Sequence, residues 1–171
     1  MSKGPKIVEL TGIVDQIGDR LILRLDEESS KSLPSRGQVA VQLINSPETV
    51  VVEPDGRRGH WIPGEVLGLH PGQKVSLSVT IAEFWPEVKL PQDLAGALAE
   101  ADDLHETWLG LTPMARWEWA RWVKSTQSPT TRERRVQVSI SKLRDGKRRP
   151  CCFDLSSCTD PEVAKGGKLI Q

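Results

Sequence analysis

Leu109-Gly-Leu-Thr-Pro-Met-Ala-Arg-Trp-Glu-Trp-Ala-Arg-Trp-Val-Lys124, followed after a short break by Thr130-Thr-Arg-Glu-Arg-Arg135, is the stretch whose reading decides the fold. Thr112 can accept a hydrogen bond from an early helical amide, and Pro113 falls where a helix has no amide proton to lose, so a helix starts here. At 100° per residue, Ala115, Trp119, Trp122 and Val123 gather on one face, while Trp117 points nearly opposite, beside Met114 and Arg121. Two tryptophans therefore face inward and one is left over. The stretch contains no catalytic motif.

Upstream of it, Gln92–Ala101 places Leu94, Ala97, Leu98 and Ala101 at helical spacing. Asp103 with Glu106 three residues on reads as a capping box ahead of Leu104, Trp108 and Leu111. Downstream, Pro129 opens a segment in which Val136, Ile140 and Leu143 fit a helix, although Val136, Val138 and Ile140 alternating with polar neighbours fit a strand equally well. Helix is the choice, because a lone strand after several helices would have no partner. From 147 the chain is basic, then rich in Cys, Ser, Gly and Lys, and reads as a flexible tail over 147–171.

The first half is different. Lys6–Asp15, Asp19–Leu25, Gln38–Ile44, Thr49–Glu53, His60–Leu67 and Lys74–Ala82 are short, rich in Val, Ile and Leu, and separated by Gly18, Asp55-Gly56, Pro63-Gly64 and Pro71-Gly72. Val39, Val41 and Leu43 against Gln38, Ala40 and Gln42 show the two-residue period of a half-buried strand. Asp26–Leu33 is polar and reads as a loop or a single helical turn. Six short strands with no long helix between them predict a small antiparallel barrel or sandwich over 6–84. Pro86 and Pro91 stiffen a linker over 85–91, leading into a helical domain over 92–146. The fold class is α+β.

A chain of 171 residues suffices for one large or two small domains. Its 23 Lys and Arg balance 23 Asp and Glu, which argues against a dedicated nucleic-acid protein. The balance hides an asymmetry. Thr112–Pro150 holds 11 basic and 3 acidic residues, a charge of +8, so the remainder carries −8. With neither an apolar leader nor a run long enough to span a bilayer, the expected location is the cytoplasm. Cys151, Cys152 and Cys158 are an odd number crowded near the end, consistent with reduced thiols. With no histidine nearby they fall short of a four-ligand zinc site, so no metal or other cofactor is expected.

Two sets of residues are candidates for binding. Thr131-Arg132-Glu133-Arg134-Arg135 joins a helix start, with its open amides, to arginines that fork toward phosphate or carboxylate; equally, these arginines can pair with the acidic part of the same molecule. Trp117, flanked by Arg116 and Arg121, can stack on a base or pack against another part of the fold. Arg132 and Arg135 complete this anion- or nucleic-acid-binding set. The second set is Arg58, His60 and Trp61, on a loop entering a strand at the barrel mouth. His70 and His105 lie far off in sequence, no nucleophile-elbow motif is present, and no catalytic residue is assigned.

Leu33-Pro34 leading into Gly37-Gln38-Val39-Ala40-Val41, then Val66-Leu67-Gly68-Leu69-His70-Pro71-Gly72-Gln73-Lys74-Val75, carry a family resemblance in the first half. Leu90-Pro91-Gln92-Asp93-Leu94, Leu109-Gly110-Leu111-Thr112-Pro113, Trp122-Val123 and Thr131–Val136 carry it more strongly in the second. Over 6–149 the chain resembles bacterial proteins that join a small barrel domain of unknown function to the YdeI/OmpD-associated domain, described as bacteriocin-protection. Gln73 stands where many members have Asp, and Ser128-Pro129-Thr130-Thr131 replaces a Pro-Glu-Thr run. The resemblance implies a double-split β-barrel, an all-helical second half, and a non-enzymatic binding or protection role with an unknown ligand. The alternatives are nucleic-acid or other polyanion binding through the basic helices, and a small-molecule enzyme at the barrel mouth.

Overall fold

A computed structural model describes residues 6–126, 128–150, 160–165 and 168–171. Two compact units emerge: residues up to Pro86 together with the C-terminal segment, and a helical unit beginning at Glu87.

The first unit is a closed barrel of six antiparallel strands: β1 (Ile7–Ile17), β2 (Arg20–Leu25), β3 (Val39–Leu43), β4 (Thr49–Pro54), β5 (His60–Pro63) and β6 (Lys74–Ile81), in the order β1-β2-β5-β4-β3-β6. Alternation in β1 sends Val8, Leu10 and Val14 inward, where they meet Leu23, Val41, Val52, Ile62 and Val79. Closure depends on Gly12. It is paired with both Leu25 and Val75, and a Cβ there would run into the Arg24 carbonyl. β1 runs two residues beyond the expected Asp15, because Gly18, with φ near 56°, makes a tight turn that leaves Ile17 opposite Arg20. β5 stops at Pro63 rather than Leu67. Proline has no amide for the ladder, and Glu65–Leu67 coils into a 3-10 turn closed by Gly68 in the left-handed region. The polar stretch after β2 becomes a single-turn helix, α1 (Glu27–Lys31), whose cap Asp26 accepts from the Ser29 amide.

The chain end is not a loose tail where it is described. Pro161–Val163 forms a 3-10 turn, and β7 (Ala164–Lys165) pairs with β8 (Lys168–Leu169). Val163 and Leu169 are buried with Ile22 and Trp61. Two apolar residues six apart, among Lys and Gly, are too few for a periodic signal, which is why the segment reads as polar. Cys151, Cys152 and Cys158 lie outside the described residues.

The second unit holds α2 (Gln92–Glu100), α3 (His105–Leu109), α4 (Pro113–Lys124) and α5 (Pro129–Arg144). Thr112 Oγ1 accepts from the Ala115 amide and Ser128 Oγ from the Thr131 amide, with Pro in the first turn each time. Ala101, Leu104, Leu111, Ala115, Trp119 and Leu143 form one core cluster; Leu94, Val123 and Val136 form a second. The capping box does not form. Asp103 sits inside a 3-10 turn (Asp102–Leu104) that runs straight into α3, so the first amides already have carbonyl partners, and its carboxylate goes to Arg144 instead. Among the described residues no helix is long and apolar enough to cross a membrane.

Candidate functional site

At one end of the barrel, α1 and the loop after it face the β4–β5 turn across a cavity of about 680 Å³. The volume lies within the usual range for small-molecule sites, about 300–1,000 Å³. The turn is held from inside. Asp55 Oδ1 accepts from the amides of Arg57 (2.6 Å) and Gly59 (2.8 Å), and the Asp55 amide donates to the Gly59 carbonyl. Gly56 and Arg58 both adopt positive φ, near 75°, which glycine tolerates and arginine resists at a cost of about 1 kcal/mol or more. Arg57 and Arg58 are thus presented at the rim by a pinned turn. Arg36 reaches the cavity from the other side, with Ser30 and Lys31 of α1.

His60 lies in the wall, 2% exposed. Burial pushes its imidazole below the ordinary range, so the ring is neutral at pH 7, and its Nε2, 3.1 Å from the Gly37 carbonyl, carries the proton. Nδ1 is then an acceptor with no partner among the described residues. Ser30 Oγ is likewise buried and without a partner among them. Lys31 pairs with Glu27, and Arg57 donates to the Leu169 carbonyl. Among the described residues Arg36 and Arg58 make no ion pair or hydrogen bond. Trp61 does not line the cavity. Successive strand residues face opposite sides, so placing His60 at the cavity puts Trp61 away from it, fully buried against Ile22, Val163 and Leu169. Sequence reasoning missed Arg36, Lys31 and Ser30. The available signal was a second basic residue set between turn-formers, Ser35-Arg36-Gly37, ahead of a strand.

Of the helical candidates, Arg121 and Trp117 meet within one helix, while Arg116, Arg132 and Arg135 are each engaged separately. Arg116, whose side chain is 12% exposed, donates to the carbonyls of Trp108, Leu109 and Leu111 at the end of α3 and pairs with Glu87. Arg121 is buried with its guanidinium 4.5 Å from the centre of the half-buried Trp117 ring. Arg132 grips Asp93 with two bonds, 2.6 and 3.2 Å. Arg135 donates to the Trp122 carbonyl and to Ser125 Oγ, and lies over the Trp122 ring. Arg144 grips Asp103 in the same manner as Arg132, and Arg149 meets the buried Glu118, whose carboxyl burial pushes up while Arg149 pulls it down. Apart from Arg121, whose ring contact lies within α4, these arginines staple the helices and the segments flanking them to one another.

The staples have a pH signature. Arg132 and the Leu94 amide hold the Asp93 carboxyl below its ordinary value, and Arg144 does the same for Asp103. A depressed folded pKa contributes stability that is present above about pH 4 and lost as pH falls through the depressed value. Asp93→Asn is expected to cost about 0.5–1 kcal/mol at pH 7 and to flatten the acid limb of unfolding below pH 4, followed by helical circular dichroism. An unchanged acid limb would remove the pair from the ledger.

Among the described residues no cluster of His, Cys, Asp and Glu is arranged for a metal ion. No curated protein and no solved structure matches the chain. The family model described as bacteriocin-protection, YdeI or OmpD-Associated (OmdA), matches residues 87–146, so it is the helical unit that is similar to that family.

Proposed function

We propose that this is a non-enzymatic binding protein that takes a small ligand into the cavity at the barrel end, and that it serves protection, as the description of the family matched by its helical unit has it, by holding that ligand. The observation that carries this reading is a ligand-sized cavity lined by Arg36 and Arg58, which have no ion pair or hydrogen bond among the described residues, and by the polar residues Ser30 and His60. Binding is favoured over catalysis because His60 is bonded to a backbone carbonyl rather than to a nucleophile. A cavity ligand is favoured over nucleic acid on the helices because Arg116, Arg132 and Arg135 are engaged with groups of their own unit.

Amide chemical-shift mapping tests it, with a set of neutral and charged small molecules and, separately, a short oligonucleotide. Small-molecule shifts confined to 30–36 and 55–60 are the expected result. Salt-sensitive oligonucleotide shifts along α5, with those two loops silent, would overturn it in favour of nucleic-acid binding.

A further inference from the structure

We infer that the ligand of this cavity is a small organic anion, a phosphate- or carboxylate-bearing molecule whose charged end lies between Arg36 and Arg58. The inference rests on the binding reading above and adds the chemistry of the ligand.

Charge is the first argument. Four cationic side chains line the cavity, Lys31, Arg36, Arg57 and Arg58, against one carboxylate, Glu27, which Lys31 already engages. The nearby Asp55 carboxylate is turned onto the amides of its own loop. Several arginines elsewhere among the described residues have acidic partners: Arg20 takes Glu65, Asp160 and Glu162, Arg24 takes Asp15, and Arg132 and Arg144 take aspartates. Arg36 and Arg58, on two separate loops facing one cavity, are the exception among its lining cations. A guanidinium presents a planar fork of donors that fits a carboxylate or phosphate oxygen pair, and two such forks from opposite walls suit a group with several oxygens.

The turn is the second argument. Arg58 sits in a backbone conformation that disfavours it, where Gly or Asn would be relaxed. Its neighbours Gly56 and Gly59 already supply conformational freedom, and a side chain at Gly59 would meet the Asp55 carboxylate. A strained arginine on a pinned turn at a cavity rim has a use for its guanidinium that offsets the strain. The polar wall is the third. Ser30 and His60 line the cavity, and their Oγ and Nδ1 are buried behind its surface without a partner among the described residues, each at a desolvation cost of about 1–3 kcal/mol. A polar group entering the cavity can recover that cost only if these side chains turn toward it. Leu25, Leu33 and Pro34 supply the remaining wall, enough for a short carbon skeleton behind the charged end.

Calorimetry with ribose 5-phosphate, citrate and uncharged ribose on the full chain tests this. At least one of the two anions is expected to bind a hundredfold or more tighter than ribose, with affinity falling as salt rises, and the preferred anion identifies phosphate or carboxylate as the recognised group. Arg58→Asn keeps a residue that tolerates the turn, and is expected to weaken anion binding about tenfold while the melting temperature holds or rises. Arg36→Gln weakens it similarly, and Arg134→Gln, a charge removed from α5, leaves it unchanged. Equal affinity for ribose and the anions, or anion binding indifferent to both loop variants, would overturn the anion inference. Cavity shifts with neutral molecules but no anion binding up to 10 mM would sink this inference alone. Silence of both loops toward every small molecule would sink the binding reading with it.

Discussion

Trp119→Ala is expected to unfold the helical unit under conditions where the barrel remains folded. Trp119 is fully buried, packs among Ala101, Leu104, Leu111, Ala115 and Leu143, and meets Trp122 edge to face with ring centroids 6.2 Å apart. Its indole N–H donates to the Arg148 carbonyl at 3.0 Å, tying the chain beyond α5 back to α4. Truncating a buried tryptophan costs about 3–5 kcal/mol, and the abandoned carbonyl adds to it. A unit of this size has a total stability of about 3–9 kcal/mol, so one substitution consumes most of it. Trp119→Phe keeps most of the ring contact and gives up the hydrogen bond, for about 1–2 kcal/mol. The check is a urea titration followed by circular dichroism at 222 nm, in which the helical transition moves to or below zero denaturant for Ala and only part of the way for Phe. Equal midpoints for Ala and Phe would show that the ring is not what holds the helices.

That helix was legible because two local signals coincide at its start and neither needs tertiary context: Thr112 as cap and Pro113 in the first turn. Ser128 and Pro129 repeat the arrangement for α5. The alternation of Val136, Val138 and Ile140 left α5 open to a strand reading, which the fold resolves by burial. Ser139 is fully buried and bonds back to the Arg135 carbonyl, whereas Val138 is only half-buried, the reverse of what a strand would do. Strand positions in the barrel were legible by the same locality, but not their order. β5 lies between β2 and β4, and that adjacency depends on residues some forty positions apart meeting, Leu23 opposite Ile62 and Arg24 opposite Trp61. The candidate site followed suit. Arg58 and His60 stand out beside a Gly-flanked turn, whereas Arg36 joins them only once α1 and the loop after it fold across the barrel end. Trp61 was drawn in by its neighbour's role, against the rule that adjacent strand residues face opposite ways.

What Trp61 does instead gives the second large effect. Trp61→Ala is expected to release the C-terminal hairpin from the barrel and, through it, to loosen the turn at the cavity rim. The hairpin is attached by Arg20 to Asp160 and Glu162, by Arg24 to the Ile170 carbonyl, by Arg57 to the Leu169 carbonyl and by the Leu169 amide to the Asp55 carbonyl. Polar links of this kind, partly open to water, contribute about 1 kcal/mol each or less. Fixing the ten described residues of this segment costs about 1 kcal/mol apiece or more, so the polar links alone do not hold it down. The burial of Val163 and Leu169 on Trp61 and Ile22 decides the balance, and removing the indole takes away about 3–5 kcal/mol of it. Two of the polar links end on Asp55 and Arg57, in the very turn that carries Arg58 and leads into His60, so release removes both of these outside supports at once. The expected readout is loss of amide-exchange protection at Leu169, trypsin cleavage after Lys165 or Lys168, and weaker anion affinity with the barrel transition still present. Leu169→Ala should reproduce all three at about 2–4 kcal/mol, since it empties the same contact from the hairpin side. Should Leu169 stay protected in Trp61→Ala, the polar links rather than the buried plug would be what fastens the hairpin, and the route from hairpin to cavity would run through Asp55 and Arg57 alone.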